Sequence, residues 1–172
     1  AASFAAIMNA VVLLSSLFAL INGPMLAAVA EAKARGDLRW IKVVYKKLIL
    51  ATIMFSLVIN MILLYCGENI FDVWYSGSIA VASLSLIFAG LYYSMNGIEV
   101  LNYTLLSGVG KIKIVSLVML LKCCVFLFGI SLIQVGDELY YIFACMSFVA
   151  FLFSVLPLTN MTRKLLWGEA IE

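Results

Sequence analysis

The chain has 172 residues, of which 66% are hydrophobic and 12% are charged, and its mean hydropathy is +1.16. A water-soluble domain of this size cannot bury so much apolar surface, so the composition excludes an ordinary soluble fold. The formal net charge of +2 is small, and nucleic-acid binding has no support. These properties predict an all-α integral membrane protein.

Five apolar runs are long enough to cross a membrane as helices, which takes about 20 residues for a hydrocarbon core of roughly 30 Å. The first covers residues 3–34, with a kink or break expected at Pro24, because proline removes a backbone donor. The other four cover residues 38–65, 79–105, 112–130 and 139–156. Gly36 is expected to end the first helix and Asp37 to cap the second. The short connections between the helices predict antiparallel neighbours in one transmembrane helical domain over residues 1–172.

The charges of the connections alternate along the chain. Basic residues surround the first and third connections and follow the last helix, at Lys33, Arg35, Arg39, Lys42, Lys46, Lys47, Lys111, Lys113, Arg163 and Lys164. The second and fourth connections carry only acidic charges, at Glu68, Asp72, Asp137 and Glu138. Since short cytoplasmic loops collect Lys and Arg, the C-terminus is expected in the cytoplasm and the N-terminus outside. An exported start without a leader predicts that the five helices end a longer protein.

Two charges fall inside apolar helices, Glu99 in the third and Lys122 in the fourth. Both lie about 14 Å from the turn that joins these helices, at about 1.5 Å per residue, so an antiparallel hairpin places them at the same depth. A charge at mid-membrane costs at least about 2.5 to 3.5 kcal/mol and therefore needs a partner or a polar cavity. Two interpretations follow: a structural ion pair, or a polar pathway in which Lys122 attracts an anionic substrate and Glu99 accepts a proton.

Polar and aromatic residues surround Glu99 on one helix face. Tyr92, Asn96, Glu99 and Tyr103 follow one another at spacings of four, three and four. Such a stripe suits a cavity for sugars, although it could instead bind neighbouring helices through hydrogen bonds. A second stripe, Thr52, Ser56 and Asn60, is expected to serve helix packing.

Residues for enzyme chemistry are scarce. The chain has no histidine, and its four cysteines form no CxxC pair, so neither a metal site nor a thiol redox site is expected. No nucleophile lies at a usable spacing from a base. We expect no catalytic activity and no cofactor, with proton or sodium coupling as the remaining possibility for an ion.

The segment around the first connection resembles the signature of polysaccharide flippases of the Wzx type, in the MATE-like superfamily. Its matching residues are Pro24, Glu31-Ala32, Arg35-Gly36-Asp37 and Trp40, whereas Met25 and Leu26 replace the aromatic residue and second proline usual in that family. The resemblance implies the last five of twelve helices in an alternating-access transporter, which carries an undecaprenyl-diphosphate-linked oligosaccharide, such as an O-antigen unit of lipopolysaccharide, across the bacterial inner membrane.

This resemblance also implies partners: the lipid-linked oligosaccharide, membrane lipids, the missing N-terminal helices and other polysaccharide-assembly proteins. In such a flippase, Pro24 and Gly36 could act as a hinge, whereas the basic cluster could equally fix topology and bind anionic headgroups. Two alternatives remain open. One is a MATE-like exporter of drugs or other cations, with Glu99 as the substrate partner, and the other is a small membrane scaffold that transports nothing.

Overall fold

The structure, a computed structural model, describes residues 2–77, 81–132 and 140–168, and every regular element within those ranges is a helix. Their bounds are α1 Ala2–Ala34, α2 Leu38–Trp74, α3 Ser83–Gly108, α4 Ile112–Leu132, α5 Tyr140–Ala150 and α6 Leu156–Trp167, with a π-helical segment, Phe151–Val155, joining α5 to α6. Five spans are long and apolar enough to cross a membrane, because α5, the π-helical segment and α6 form one of them. The predicted all-α membrane fold is confirmed.

Two helices are longer than the sequence predicted. Helix α2 continues to Trp74, so Glu68 and Asp72 lie in its last turns rather than in a loop, and the chain turns only at Ser76 and Gly77, whose φ angles are 51° and 70°. Helical residues can be charged near a membrane surface, and the loss of hydropathy after residue 65 therefore marked the edge of the apolar layer instead of the helix end. The predicted connection through Asp137 and Glu138 lies outside the described residues.

The last span continues past Pro157 to Trp167 instead of ending at residue 156. Proline has no backbone N–H to donate, and the π-helical segment accommodates it: the N–H of Leu156 bonds to the carbonyl of Phe151, five residues earlier. Helix α1 also continues through Pro24 without the break that the sequence allowed. The turns on both sides of Pro24 pack against α3, through Phe18 and Val29, and hold the helix together.

The joint between α1 and α2 has the capping residues that the sequence predicted. Gly36, at φ +75°, ends α1. Its N–H donates to the carbonyl of Lys33 at 2.9 Å, and the N–H of Asp37 donates to the carbonyl of Ala32 at 2.9 Å. This is the Schellman arrangement, which favours glycine at the left-handed position. Asp37 then caps α2, because its Oδ1 accepts from the N–H of Trp40 at 2.9 Å.

Helix α3 lies at the centre and contacts every other described helix. One apolar core cluster joins α1, α2, α3 and α6 at what we call the basic end, around Val29, Ile41, Leu105 and Leu166. A second joins α1, α2, α3 and α5 at the opposite, acidic end, around Ile7, Phe71, Tyr93 and Phe143. Between them, the middle of α3 carries polar side chains.

Glycines allow α1 to approach α3 closely. A Cβ atom on Gly97 would lie 2.8 Å from the ring of Phe18 and 3.1 Å from the methyl group of Thr52, and one on Gly108 would lie 2.9 Å from Cβ of Val29. Small residues at helix contacts let backbones meet, and van der Waals packing then holds the helices together in lipid. By contrast, a Cβ on Gly23 would meet nothing within 4 Å.

We predict that Gly108→Leu destabilises the bundle by about 1 to 3 kcal/mol, the usual cost of overpacking, because its Cβ would meet Val29 and the backbone carbonyl of Leu26. Gly23→Leu is the control, because it adds the same atoms to α1 where there is space. Thermal unfolding of both variants in detergent, followed by circular dichroism, should show a lowered transition for Gly108→Leu only. Equal transition temperatures would contradict the close α1–α3 contact.

Candidate functional site

Polar side chains in the middle of α3 each contact a different neighbouring helix. Ser94 Oγ accepts a hydrogen bond from Asn60 of α2 at 2.8 Å. Asn96 donates to Ser15 Oγ of α1 at 3.1 Å. Because hydrocarbon offers no alternative partner, each of these bonds holds a helix against α3.

Asn102 forms a buried network that the sequence analysis did not identify. Its side-chain oxygen accepts from the hydroxyl of Tyr45 at 3.0 Å, and its nitrogen donates to Thr159 Oγ1 at 3.1 Å and to the carbonyl of Ile98 at 2.9 Å. The network therefore joins α2, α3 and α6. One signal was available, because an amide inside an apolar run must find partners, and Asn102 lies one turn from Glu99.

Glu99 and Lys122 form an ion pair between α3 and α4, with 2.5 Å between Lys122 Nζ and Glu99 Oε1. The Glu99 side chain is 3% exposed and that of Lys122 is 19% exposed, so the pair is closed to its surroundings on the Glu99 side. The second carboxylate oxygen, Oε2, is buried and has no hydrogen-bond partner among the described residues. A buried oxygen of this kind is a free acceptor for a proton or for a donor group on a ligand.

The polar stripe lies in a groove of α3 between α1 and α4. Asn96 reaches α1 and Glu99 reaches α4, so the face that they share with Tyr92 and Tyr103 points between those two helices. Within the described residues α1 and α4 make no contact with each other. Tyr103 is exposed in this groove and Tyr92 is partly buried. At the acidic end the rings of Phe4 and Phe143, 5.4 Å apart between centroids, bring α1 and α5 together.

The residues of the flippase-like motif lie away from this ion pair, at the basic end. Glu31 and Arg35 form an exposed ion pair one turn apart, at 2.5 Å. Lys33 donates to the carbonyl of Val109 and so ties the joint after α1 to the turn after α3. Trp40 packs against the core cluster of the basic end. Each motif residue after Pro24 thus has a local structural role at the α1–α2 joint.

A cavity of about 390 Å³ opens on the opposite side of α3 from Glu99. Gly97 lines it, and two residues along a helix turn the side-chain direction by about 200°. Its walls are mainly apolar, with Asn22 and Thr52 as the polar exceptions. Thr52, near Gly97, and Asn60, bonded to Ser94, both contact α3, so the predicted packing role of the second stripe is confirmed for these two residues.

The five spans and the polar contacts among them define a multi-pass α-helical membrane protein. Comparison of the chain with protein-family models, with curated proteins and with solved structures found no match.

The ion pair generates a stability prediction. Lys122→Met leaves a buried carboxylate without a partner and should cost about 3 to 5 kcal/mol, the range for removal of one member of a buried pair. Glu99→Gln combined with Lys122→Met removes both charges and should recover much of that loss. Thermal unfolding in detergent measures both effects. Lys113→Met, on the exposed first turn of α4, is the matched control and should be neutral; a similar loss there would mean that the pair is not specifically responsible.

Proposed function

We propose that this chain is the C-terminal part of a bacterial inner-membrane flippase that carries an undecaprenyl-diphosphate-linked oligosaccharide outward by alternating access. One observation carries the proposal: an intramembrane ion pair, of Glu99 on the polar and aromatic stripe of α3 with Lys122 of α4, lies beside the groove between α1 and α4, with Lys122 the more exposed partner. Ionisable residues inside a membrane mark substrate or ion pathways more often than they serve stability alone.

In this proposal the groove faces the N-terminal helices of the complete transporter, and the two halves together enclose the cargo. Lys122 then supplies the cation for the diphosphate, exchanging its bond to Glu99 for one to a phosphate oxygen. The amide of Asn96 and the phenols of Tyr92 and Tyr103 offer hydrogen bonds and flat rings to the sugar units. No covalent step is required, so the protein acts as a transporter and not as an enzyme.

The same exchange provides a route to ion coupling. When Lys122 turns to the cargo, Glu99 loses its counter-ion in a medium where an isolated carboxylate is expensive. Its unpartnered Oε2 is then positioned to accept a proton, or the carboxylate to bind sodium. Uptake of that ion would neutralise Glu99, and release on the other side would let the ion pair form again.

Orientation follows from the charge distribution. The joint after α1, the turn after α3 and the end of α6 collect Lys33, Lys111 and Arg163 at one end of the bundle. Short basic segments are retained in the cytoplasm, so the proposal places this end inside and the start of α1 outside.

A scaffold without transport activity is the second candidate, and a specific observation favours it. Ser94, Asn96, Glu99 and Asn102 of α3 each bond to a neighbouring helix, and Lys122 pairs with Glu99 without any ligand. A cation exporter has less support, because Lys122 already neutralises the carboxylate that would bind its substrate.

Transport by the complete protein distinguishes these candidates. We predict that Lys122→Met reduces transport more than tenfold in proteoliposomes that contain a fluorescent lipid-linked oligosaccharide, whereas Lys122→Arg retains most of it because the charge remains. The measurement is the fraction of cargo exposed to an impermeant glycosidase outside the vesicle.

The control separates transport from folding. The double variant Glu99→Gln, Lys122→Met has no buried charge left unpaired, so it should insert and fold while remaining inactive. Transport at the wild-type rate by this correctly folded double variant would assign the pair a structural role only and would overturn the proposal.

The α1–α2 joint gives a separate prediction about a hinge. Pro24→Ala restores the missing backbone bond in α1 and should slow transport severalfold while leaving thermal stability unchanged or raised. Gly36→Ala should also slow transport, at some cost in stability, because its backbone is left-handed. Gly23→Ala, next to Pro24, is the control, because the added Cβ would lie more than 4 Å from other side chains in the described part of the chain. Wild-type transport in both hinge variants would remove the joint from the mechanism.

A further inference from the structure

A second cavity, of about 610 Å³, lies between the beginning of α2 and the end of α6. Three cations line it, Lys46 from α2 and Arg163 and Lys164 from α6. None of the described residues in its lining is acidic. In the described part of the chain the two ion pairs are Glu31 with Arg35 and Glu99 with Lys122, so these three cations are not neutralised there by a carboxylate.

The cavity has a preorganised wall. Tyr45 and Thr159 both line it, and both bond to Asn102 of α3 in the buried network. At its rim, Lys46 Nζ and Lys42 Nζ lie over the ring of Trp167, at 5.4 Å and 5.9 Å from the ring centroid. Cation–π contacts and a fixed wall hold the positive charges together, against their mutual repulsion.

The position of the cavity along the helices corresponds to the lipid headgroups. The continuous apolar run of α2 begins at Leu48, directly after Lys46 and Lys47. On α6 the basic pair Arg163 and Lys164 is followed by Trp167, a residue type that concentrates at the membrane–water interface. The cations therefore surround the level at which the phosphate groups of a bilayer lie.

An apolar surface continues from the cavity toward the middle of the membrane. Ile49 lines the cavity, and Ile53 and Leu57 follow it on the same face of α2 at spacings of four, both exposed. This continuity favours a lipid over a free phosphate ion, because an acyl chain attached to the bound phosphate would lie along these side chains.

We propose that this cavity binds the phosphate group of an anionic membrane phospholipid, with Lys46 and Arg163 from opposite walls as its principal ligands. The bound headgroup joins α2 to α6 at the basic end. Asn160, which also lines the cavity, offers a hydrogen bond to the remainder of the headgroup. Basic pockets between transmembrane helices are the usual recognition sites for such lipids. The proposal concerns a resident lipid and does not depend on which cargo the protein carries.

The test is a titration of the purified protein in neutral mixed micelles with radiolabelled phosphatidylglycerol, counting the lipid retained per protein. Removal of one cation near a headgroup weakens binding about fivefold, so the double variant Lys46→Gln, Arg163→Gln should bind about 25-fold more weakly than the wild type. The matched control is Lys47→Gln, Lys113→Gln, which removes the same charge from exposed positions outside the cavity and should bind as the wild type does. An equal loss in the control would show general surface attraction and would overturn the proposal.

Two competition arms identify the source of the phosphate. Phosphatidylcholine, which has no net charge, should not displace the labelled lipid at equal concentration. Soluble glycerol phosphate should compete at least 100-fold less effectively than phosphatidylglycerol, because it has no acyl chain to lie along Ile53. Competition by glycerol phosphate at the same concentration as the lipid would mean a free-phosphate site and would refute lipid recognition.

Discussion

The hydrocarbon interior gives a polar side chain no partner except another part of the protein, and α3 is built around that constraint. In its middle turns, Ser94 bonds to α2, Asn96 to α1 and Glu99 to α4. Asn102 bonds to both α2 and α6. Lipid tails are as apolar as leucine, so helix association gains nothing from the hydrophobic effect and depends on close packing and on interhelical hydrogen bonds. The polar layer supplies the specificity that selects one arrangement of the spans.

Helix α4 exposes much of its surface, including Leu117, Leu120 and Leu127. Near its start, Val115 packs against Leu106 and Leu158, and further along the helix packs against α5, where Gly129 lies close to Cys145. The ion pair is its polar contact with α3 at mid-depth. If the charge of Lys122 is drawn elsewhere, α4 loses this polar contact while its apolar packing against α3 and α5 remains.

Hydropathy and capping residues predicted the number of spans and the joint at Gly36 and Asp37, because both depend on local chemistry. The ends of α2 and of the last span were wrong, since Glu68 and Pro157 look like terminators unless the helix continues into the interface or adopts a π-helical turn. Equal depth for Glu99 and Lys122 was predicted from the rise per residue. Their contact depends on how each helix is rotated about its axis, which the hydropathy pattern does not define. The partners of Asn102 lie 57 residues away on either side, beyond any local pattern.

The two proposed sites share one turn of α3. Asn102 forms part of the wall behind the basic cavity through Tyr45 and Thr159, and Glu99 lies three residues earlier on the same helix. A headgroup that draws α2 toward α6 acts on both partners of Asn102 at once, and a shift of this residue along or around the helix axis also moves Glu99 relative to Lys122. Neither Glu99 nor Lys122 lines the cavity, so an effect of the proposed lipid on the ion pair would have to pass through Asn102 and this turn of α3.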